Sequence, residues 1–324
     1  MGPSAPLRRH AFVLGLAAVT ALVLWNPGGL PQTLGLWLKA HRAPEAVIAA
    51  IFLLSGLRLS VRSALAGAAD LPVVALGFAG IFVVSPLLAL GFSALPLAPG
   101  LVVGLFLVAS MPTTLTTGVV MTAAAGGNEA TALVITLGAN ALAVAAVPVV
   151  LPWLLGTARA VPPDLFDRGA MAARIAGLVL VPLAVGMAIR SRAPEAFTRA
   201  GPGLRRASLG LVLTIVGIAV AGSRTTLLGH AGDLAVAVGL SAAFHATVLA
   251  CLFGLVFLGR IGPGRREAAI FMGGQKTLPL AVLLQTSLFP GLGQALVVCV
   301  VHHLVHLLMD GYLVGRLSGR GAAA

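Results

Sequence analysis

Long apolar runs separated by short charged breaks organise this chain. No Asp, Glu, Lys or Arg occurs from Leu71 to Asn128, nor from Ala130 to Ala158. A helix needs about 20 mostly apolar residues to cross a bilayer, so these runs hold several spans rather than one. Within them Leu, Ala, Val and Gly recur without strand-type alternation, which predicts helices rather than a barrel. The charge breaks place ten spans near residues 11–26, 43–57, 71–93, 98–123, 129–154, 172–189, 207–222, 234–258, 267–287 and 292–314. The first begins near Phe12, after Arg8, Arg9 and His10. Because the rest of the chain is equally apolar, it reads as a first transmembrane helix rather than a cleaved signal. Arg174 enters near one end of the sixth span, where a long side chain can snorkel to the interface.

Composition agrees with this pattern. Of 324 residues, 59% are hydrophobic and 9% charged, with a mean hydropathy of +1.04, which excludes a soluble domain and defines a polytopic membrane protein. Lys and Arg then set orientation. With the N-terminus cytoplasmic, 14 basic residues fall on inner segments, among them Arg58, Arg62, Arg190, Arg205, Arg206 and Arg265, and 6 on outer ones: Lys39, Arg42, Arg159, Arg168, Arg174 and Arg224. Ten spans with both termini inside, in a plasma (inner) membrane, satisfy that asymmetry. The net charge of +12 is spread over the inner loops rather than gathered in a groove, so it does not point to nucleic acid. Cys251 and Cys299 both lie in apolar runs and read as small buried hydrophobes; neither metal spacing nor a disulfide framework is present.

The chain resembles itself at a shift of about 163 residues. Thr114-Leu115 falls on Thr277-Leu278, and Ala132-Leu133-Val134 on Ala295-Leu296-Val297. Each half, 1–158 and 159–324, holds five predicted spans, and the fourth of each carries a polar, Pro-bearing interruption: "SMPTTLTTG" (110–118) and "GGQKTLP" (273–279). Five is odd, so the second half enters from the opposite side and the repeats are inverted. Paired Gly/Pro-interrupted spans in inverted halves point to the binding site of a secondary transporter. Proline and glycine free backbone groups in mid-membrane, and a wet cavity or an ion must satisfy them.

The segments "PTTLTTGVVMTAAAGGNEATALVITLGANALAVAAVP" (112–148) and "GGQKTLPLAV" (273–282) resemble the bile acid:sodium symporter family, most closely its SBF-like branch. The resemblance implies a ten-helix fold of inverted five-helix repeats, with discontinuous fourth and ninth helices crossing in a core bundle beside a panel bundle. Each bundle draws on both repeats, and substrate binds between them. It further implies sodium ligands in the fourth helix, at the start of the fifth and in a Glu-x-x-x-Gln motif of the ninth. Gln275 matches the glutamine, Thr117 and Thr136 match hydroxyl ligands, and Asn128 stands where the fifth helix starts. Phe271 occupies the glutamate position and Gly118 the region of a helix-four Asn, which departs from the two-sodium arrangement. Thr114, Thr116, Asn140, Thr277 and His303 fall in the crossover region, His303 on Asn140 under the repeat shift.

Lys276, inside an apolar run, carries a charge that costs about 2.5–3.5 kcal/mol to insert at a helix centre. It reads as a tethered cation in the place of sodium, as a group that exchanges protons during transport, or as a structural charge. Glu129 is the only acid between Asp70 and Asp164; it reads either as a helix N-terminal charge beside the capping Asn128 or as the counter-charge to Lys276. In "VHHLVHLLMD" (301–310), His302, His306 and Asp310 share one helical face, a metal-ligand or proton-relay spacing that reads first as a polar face lining the core or the inner vestibule. His245 stands alone in the eighth span and reads as a packing residue. No intramembrane His-Glu-x-x-His motif occurs, and the "LSGLRLS" serines (54–60) lack a base, so an enzyme is not expected. The expected activity is alternating-access transport of a small organic anion coupled to sodium or protons, with no cofactor other than a coupling sodium. The alternative is a regulator of ion homeostasis, for instance of calcium.

Overall fold

The computed structural model describes residues 5–59, 70–159, 166–229 and 232–321. Among these the chain is all helix and loop. In chain order the helices are α1 (Ala5–Trp25), α2 (Leu30–Ala40), α3 (Ala43–Gly56), α4 (Leu71–Phe92), α5 (Pro99–Ser110), α6 (Thr117–Ala124) and α7 (Glu129–Thr157). They continue as α8 (Arg168–Arg192), α9 (Pro194–Gly229), α10 (Asp233–Leu258), α11 (Arg266–Gly274), α12 (Leu278–Leu288) and α13 (Gly293–Gly321).

Six helices are long and apolar enough to cross a membrane, or seven if α1 and α2, bent by 93°, count as one broken span. The other predicted spans are short or interrupted: α3 has 14 residues, and the fourth and ninth spans are split into α5 and α6 and into α11 and α12. Both interruptions fall where the sequence put the polar, Pro-bearing segments. Arg62 and Ser60 of "LSGLRLS" lie outside the described residues, as does Asp164.

Two departures from the predicted layout have plain causes. Residues 30–40 form a helix instead of a loop. Asn26, Gly28 and Gly29 adopt positive φ and turn the chain, and the Asn26 side chain accepts from Gln32 N at 3.0 Å and donates to its Oε1 at 3.2 Å. Gly35 of α2 then lies flat on α9, where an added Cβ would stand 2.3 Å from the Ala221 Cβ. At the start of α9, the Arg-rich segment from residue 194 continues the helix that the charge pattern had left as loop; Pro202 sits inside it.

Proline also shapes α4 and α8. Each widens into one π turn, Gly80–Val84 and Ala176–Leu180, just ahead of a proline, Pro86 and Pro182. A proline within a helix lacks an N–H and its ring crowds the preceding turn; a π turn relieves the clash. In α4 the Ser85 N–H then reaches the Gly80 carbonyl. The Ile81 carbonyl would next meet the N–H of residue 86, which proline does not have.

Packing gathers the helices into two neighbourhoods. α3 lies against α8 and α9, and α9 carries α1 and α2. α4 to α7 and α10 to α13 form the second group, in which α13 packs on α5 and α10, and α11 on α4, α6 and α10. They meet where α9 touches α12 and α13, α3 touches α12, and α8 touches α7. Gly56 and Gly186 let α3 and α8 approach until backbones touch: a Cβ on Gly186 would sit 2.3 Å from the Leu53 carbonyl oxygen.

Candidate functional site

The two helix breaks meet. Thr277 N–H donates to the Pro112 carbonyl at 2.9 Å, so the backbone between α11 and α12 is tied to that between α5 and α6. Gln275, fully buried, makes the side-chain link. Its Oε1 accepts from Thr114 Oγ1 at 2.7 Å and Thr117 Oγ1 at 3.2 Å, and Thr114 Oγ1 accepts from Gly118 N at 3.0 Å. α7 braces the same break: Thr136 Oγ1 donates to the Thr114 carbonyl at 2.8 Å, and Asn140 Nδ2 to the Thr113 and Thr136 carbonyls at 3.3 and 2.8 Å. Backbone groups released by the first break are thus met by the Thr277 N–H of the second break and by side chains of α7.

Lys276 points the other way and is 3% exposed. Its Nζ donates to three carbonyls: Ile81 at 3.0 Å, Ala109 at 3.2 Å and Met111 at 3.2 Å. The first is the carbonyl orphaned by Pro86. The other two are released where α5 stops, at a helix C-terminus whose dipole favours a cation. Three main-chain oxygens around one ammonium are the donor chemistry that would otherwise suit a small hard cation.

The predicted ligands divide. Thr114, Thr117, Thr136, Asn140, Gln275 and Thr277 lie in one network. Asn128 caps α7 by accepting from Thr131 N at 3.1 Å, and Glu129 in the following turn is exposed. The structure does not bring Glu129 to Lys276, whose three contacts are all carbonyls. Instead Glu129 borders a cavity of about 380 Å³ together with Arg58, Arg190 and Thr116. Spacing set the reach of the loop but not the side on which it faces.

That cavity is the first of a series of spaces between the two helix groups in which each shares lining residues with the next. A neighbouring space of about 770 Å³ is bordered by Arg58, Arg190, Arg205 and Arg206, and a third, lined by Thr116, Thr117 and Ser208, shares Arg58 and Arg205 with it. At its end, a space of about 60 Å³ touches Thr114, Thr117, Thr277, Pro279 and His303, where α6 and α12 begin. Among the described residues no ion pair with a carboxylate engages Arg58, Arg190 or Arg205. Burial, and after it the Arg205 and Arg190 charges, hold the Arg58 guanidinium below its usual pKa. Three guanidinium groups crowded in a cleft, against the one carboxylate of Glu129 among its lining residues, create a positive potential that favours an anion.

Pattern reading missed one residue pair. His245, read as a packing residue, meets Asp310, with Nε2 3.0 Å from Oδ1. They are 65 positions apart, and no periodic pattern connects them. The signal available was the burial of an Asp in the last span beside three histidines. Among the described residues no group of three or more His, Cys, Asp or Glu is placed to hold a metal ion.

A helical membrane protein with two broken helices tied to each other at their breaks beside a cleft belongs to the transporter class. This chain belongs to the SBF-like CPA transporter family, whose sequence model matches residues 10–319. No curated protein matches it.

Proposed function

We propose that this protein is a secondary-active carrier that moves a small organic anion by alternating access between a core bundle, α4 to α7 with α10 to α13, and a panel bundle, α1 to α3 with α8 and α9. The observation that carries the reading is the arginine-bordered cleft that runs between the two bundles and ends at the crossing. An anion drawn in by Arg58, Arg190 and Arg205 would arrive at Thr116, Thr117 and Thr277. There the N-termini of α6 and α12, neither capped by its N-cap side chain, present positive dipole ends.

Inverted repeats fit the helix register. A shift of about 163 residues carries α1 near α8, α4 near α10 and α7 near α13, and the first break onto the second. Ten crossings follow if α3 and both broken helices span. Side-chain contacts respect the charge orientation: Arg190 with the Leu57 carbonyl on the proposed inner side, Arg174 with Glu45 and Arg224 with the Leu24 carbonyl on the outer. At the crossing, the Lys276 ammonium fills a carbonyl cage as a tethered cation, which removes the need for a sodium ion at that point. Phe271, at the position of the family's glutamate, fits a carrier without that ion.

Reconstituted full-length protein should take up one or more of radiolabelled acetate, succinate, citrate or cholate into proteoliposomes under an imposed sodium or pH gradient. Arg58→Gln with Arg205→Gln should raise the half-saturating anion concentration at least tenfold. No gradient-dependent uptake of any of these anions would sink the carrier reading and leave the regulator.

A further inference from the structure

Four arginines reach the cleft from three helices. Arg58 follows the end of α3, Arg190 lies in the last turn of α8, and Arg205 and Arg206 lie in the first half of α9. The close approach of α3 to α8 at Gly56 and Gly186 brings the first two together. Arg190 Nη1 donates to the Leu57 carbonyl at 3.1 Å, and its Nη2 to Thr198 Oγ1 at 3.4 Å. Arg58 borders all three adjoining spaces, of about 380, 770 and 20 Å³; Arg190 borders the first two and Arg205 the last two. The positive groups therefore gather about one point, near enough for the Arg205 and Arg190 charges to act on the Arg58 guanidinium.

Nothing in the cleft balances them. Burying a guanidinium is costly unless an anion pairs with it, and Arg58 and Arg190 are half-buried. Among the described residues none of the four has a carboxylate partner. Residues 60–69, which follow Arg58, contain no Asp or Glu. Glu129, bordering the first space, is the one carboxylate in the lining, so four positive charges face one negative. A carboxylate ligand brings one charge and two acceptor oxygens. A phosphate monoester brings about two charges and three acceptor oxygens on one centre, a set that arginine forks match. A dicarboxylate also has two charges but holds them a carbon chain apart, whereas these arginines converge on Arg58. The remaining walls are apolar: Phe12, Phe197, Pro202 and Leu209 border the same 770 Å³ space as all four arginines, a volume that admits a charged head with a compact apolar body.

We propose that the cleft selects a phosphate monoester with an apolar body, its dianionic head among Arg58, Arg190, Arg205 and Arg206 and its body against Phe12, Phe197, Pro202 and Leu209. The proposal rests on the carrier reading, for which it names the preferred substrate class; carboxylates occupy the same arginines more weakly. Two sources offer this chemistry, a soluble phosphate monoester and a lipid whose headgroup is a phosphate monoester. Both can reach the cleft, because residues 194–206 of α9 precede the predicted span and leave Thr198, Arg205 and Arg206 exposed.

The test is calorimetric titration of full-length protein in phosphatidylcholine nanodiscs at pH 8, where a phosphate monoester, with a second pKa of about 6, is doubly charged. Naphthyl phosphate should bind at least tenfold more tightly than naphthyl sulfate, which has the same shape and one charge fewer. It should also bind at least tenfold more tightly than inorganic phosphate, which lacks the apolar body. Arg205→Gln with Arg206→Gln, both at exposed positions, should reduce the preference over the sulfate at least threefold. Phe197→Ala should weaken naphthyl phosphate at least threefold and leave inorganic phosphate unaffected. Equal binding of phosphate and sulfate, a preference undiminished in the arginine variant, or Phe197→Ala without effect would overturn the proposal. Doping the nanodiscs with phosphatidate, against a charge-matched amount of phosphatidylglycerol, fixes the source. Extra competition by phosphatidate supports the lipid headgroup, and equal effects of the two lipids support the soluble ester. Uptake separates the proposal from the carrier reading. Naphthyl phosphate should inhibit uptake of whichever of acetate, succinate, citrate or cholate is carried, at a concentration at least tenfold below that of naphthyl sulfate. Carboxylate uptake that the two esters inhibit equally would overturn the proposal and leave the carrier reading standing. Preferred binding of naphthyl phosphate, with no gradient-dependent uptake of it or of the four carboxylates, would sink the carrier reading and keep the ligand class.

Discussion

Replacing Lys276 with methionine removes the ammonium and keeps most of the stem. Three carbonyls, those of Ile81, Ala109 and Met111, then lose their donor in a site that is only 3% exposed. A buried group left unsatisfied costs about 1–3 kcal/mol, so the gross loss is on the order of 3–9 kcal/mol. Against it stands the about 2.5–3.5 kcal/mol that a mid-membrane lysine costs on insertion, which methionine does not incur. The balance runs from about zero to about 6 kcal/mol; its middle, about 3 kcal/mol of destabilisation, would lower the melting temperature by about 5 °C or more. In a Cys251→Ser background, which removes the half-buried free thiol, a maleimide dye that reacts as the buried Cys299 becomes exposed reads the transition directly. The shorter Lys276→Ala leaves the same carbonyls with room for an ion. Sodium chloride should raise its melting temperature relative to choline chloride at equal ionic strength, while the wild type should not respond; a ligand at 100 times its Kd stabilises by about 2.7 kcal/mol. Equal melting of Lys276→Met and wild type, together with no sodium response in Lys276→Ala, would refute the tethered-cation reasoning.

Two further outcomes follow from packing and charge. Gly186→Leu should lower the melting temperature sharply, because its Cβ would meet the Leu53 carbonyl oxygen at 2.3 Å and the Leu57 nitrogen at 2.9 Å; Gly91→Ala in α4, which meets nothing within 4 Å, should be neutral or stabilising. Arg265 holds Asp70 in a two-point ion pair with distances of 2.7 and 2.8 Å, and that hydrogen bond, more than any other influence, lowers the Asp70 pKa. A carboxyl lowered by folding stabilises above its ordinary value and loses that contribution as pH falls through its folded value. Asp70→Asn should therefore reduce the melting temperature at pH 7, by an amount that shrinks as pH falls below the ordinary carboxylate value of 3.8; a deficit that does not shrink on acidification would exclude the ion pair as the cause.

The two breaks were legible because proline, glycine and hydroxyl residues are costly in hydrocarbon, and "SMPTTLTTG" and "GGQKTLP" stood out against apolar surroundings. Helix α2 was not, since its 11 residues are too few to cross a bilayer and follow the turn-forming Pro27, Gly28 and Gly29. Nor was the partner of Lys276. Backbone carbonyls carry no signature in a sequence, and the one at Ile81 is free only because Pro86 follows a π turn.

Apolar length, charge bias and the paired interruptions are local or additive properties, so the sequence alone determined a helical membrane protein broken at two places. Which groups meet across those breaks depends on how distant helices rotate and cross, and side-chain spacing within one helix does not encode that. Only the tertiary structure decided that Lys276 faces three carbonyls rather than Glu129, that Glu129 faces a cleft with Arg58 and Arg190, and that Asp310 is paired with His245.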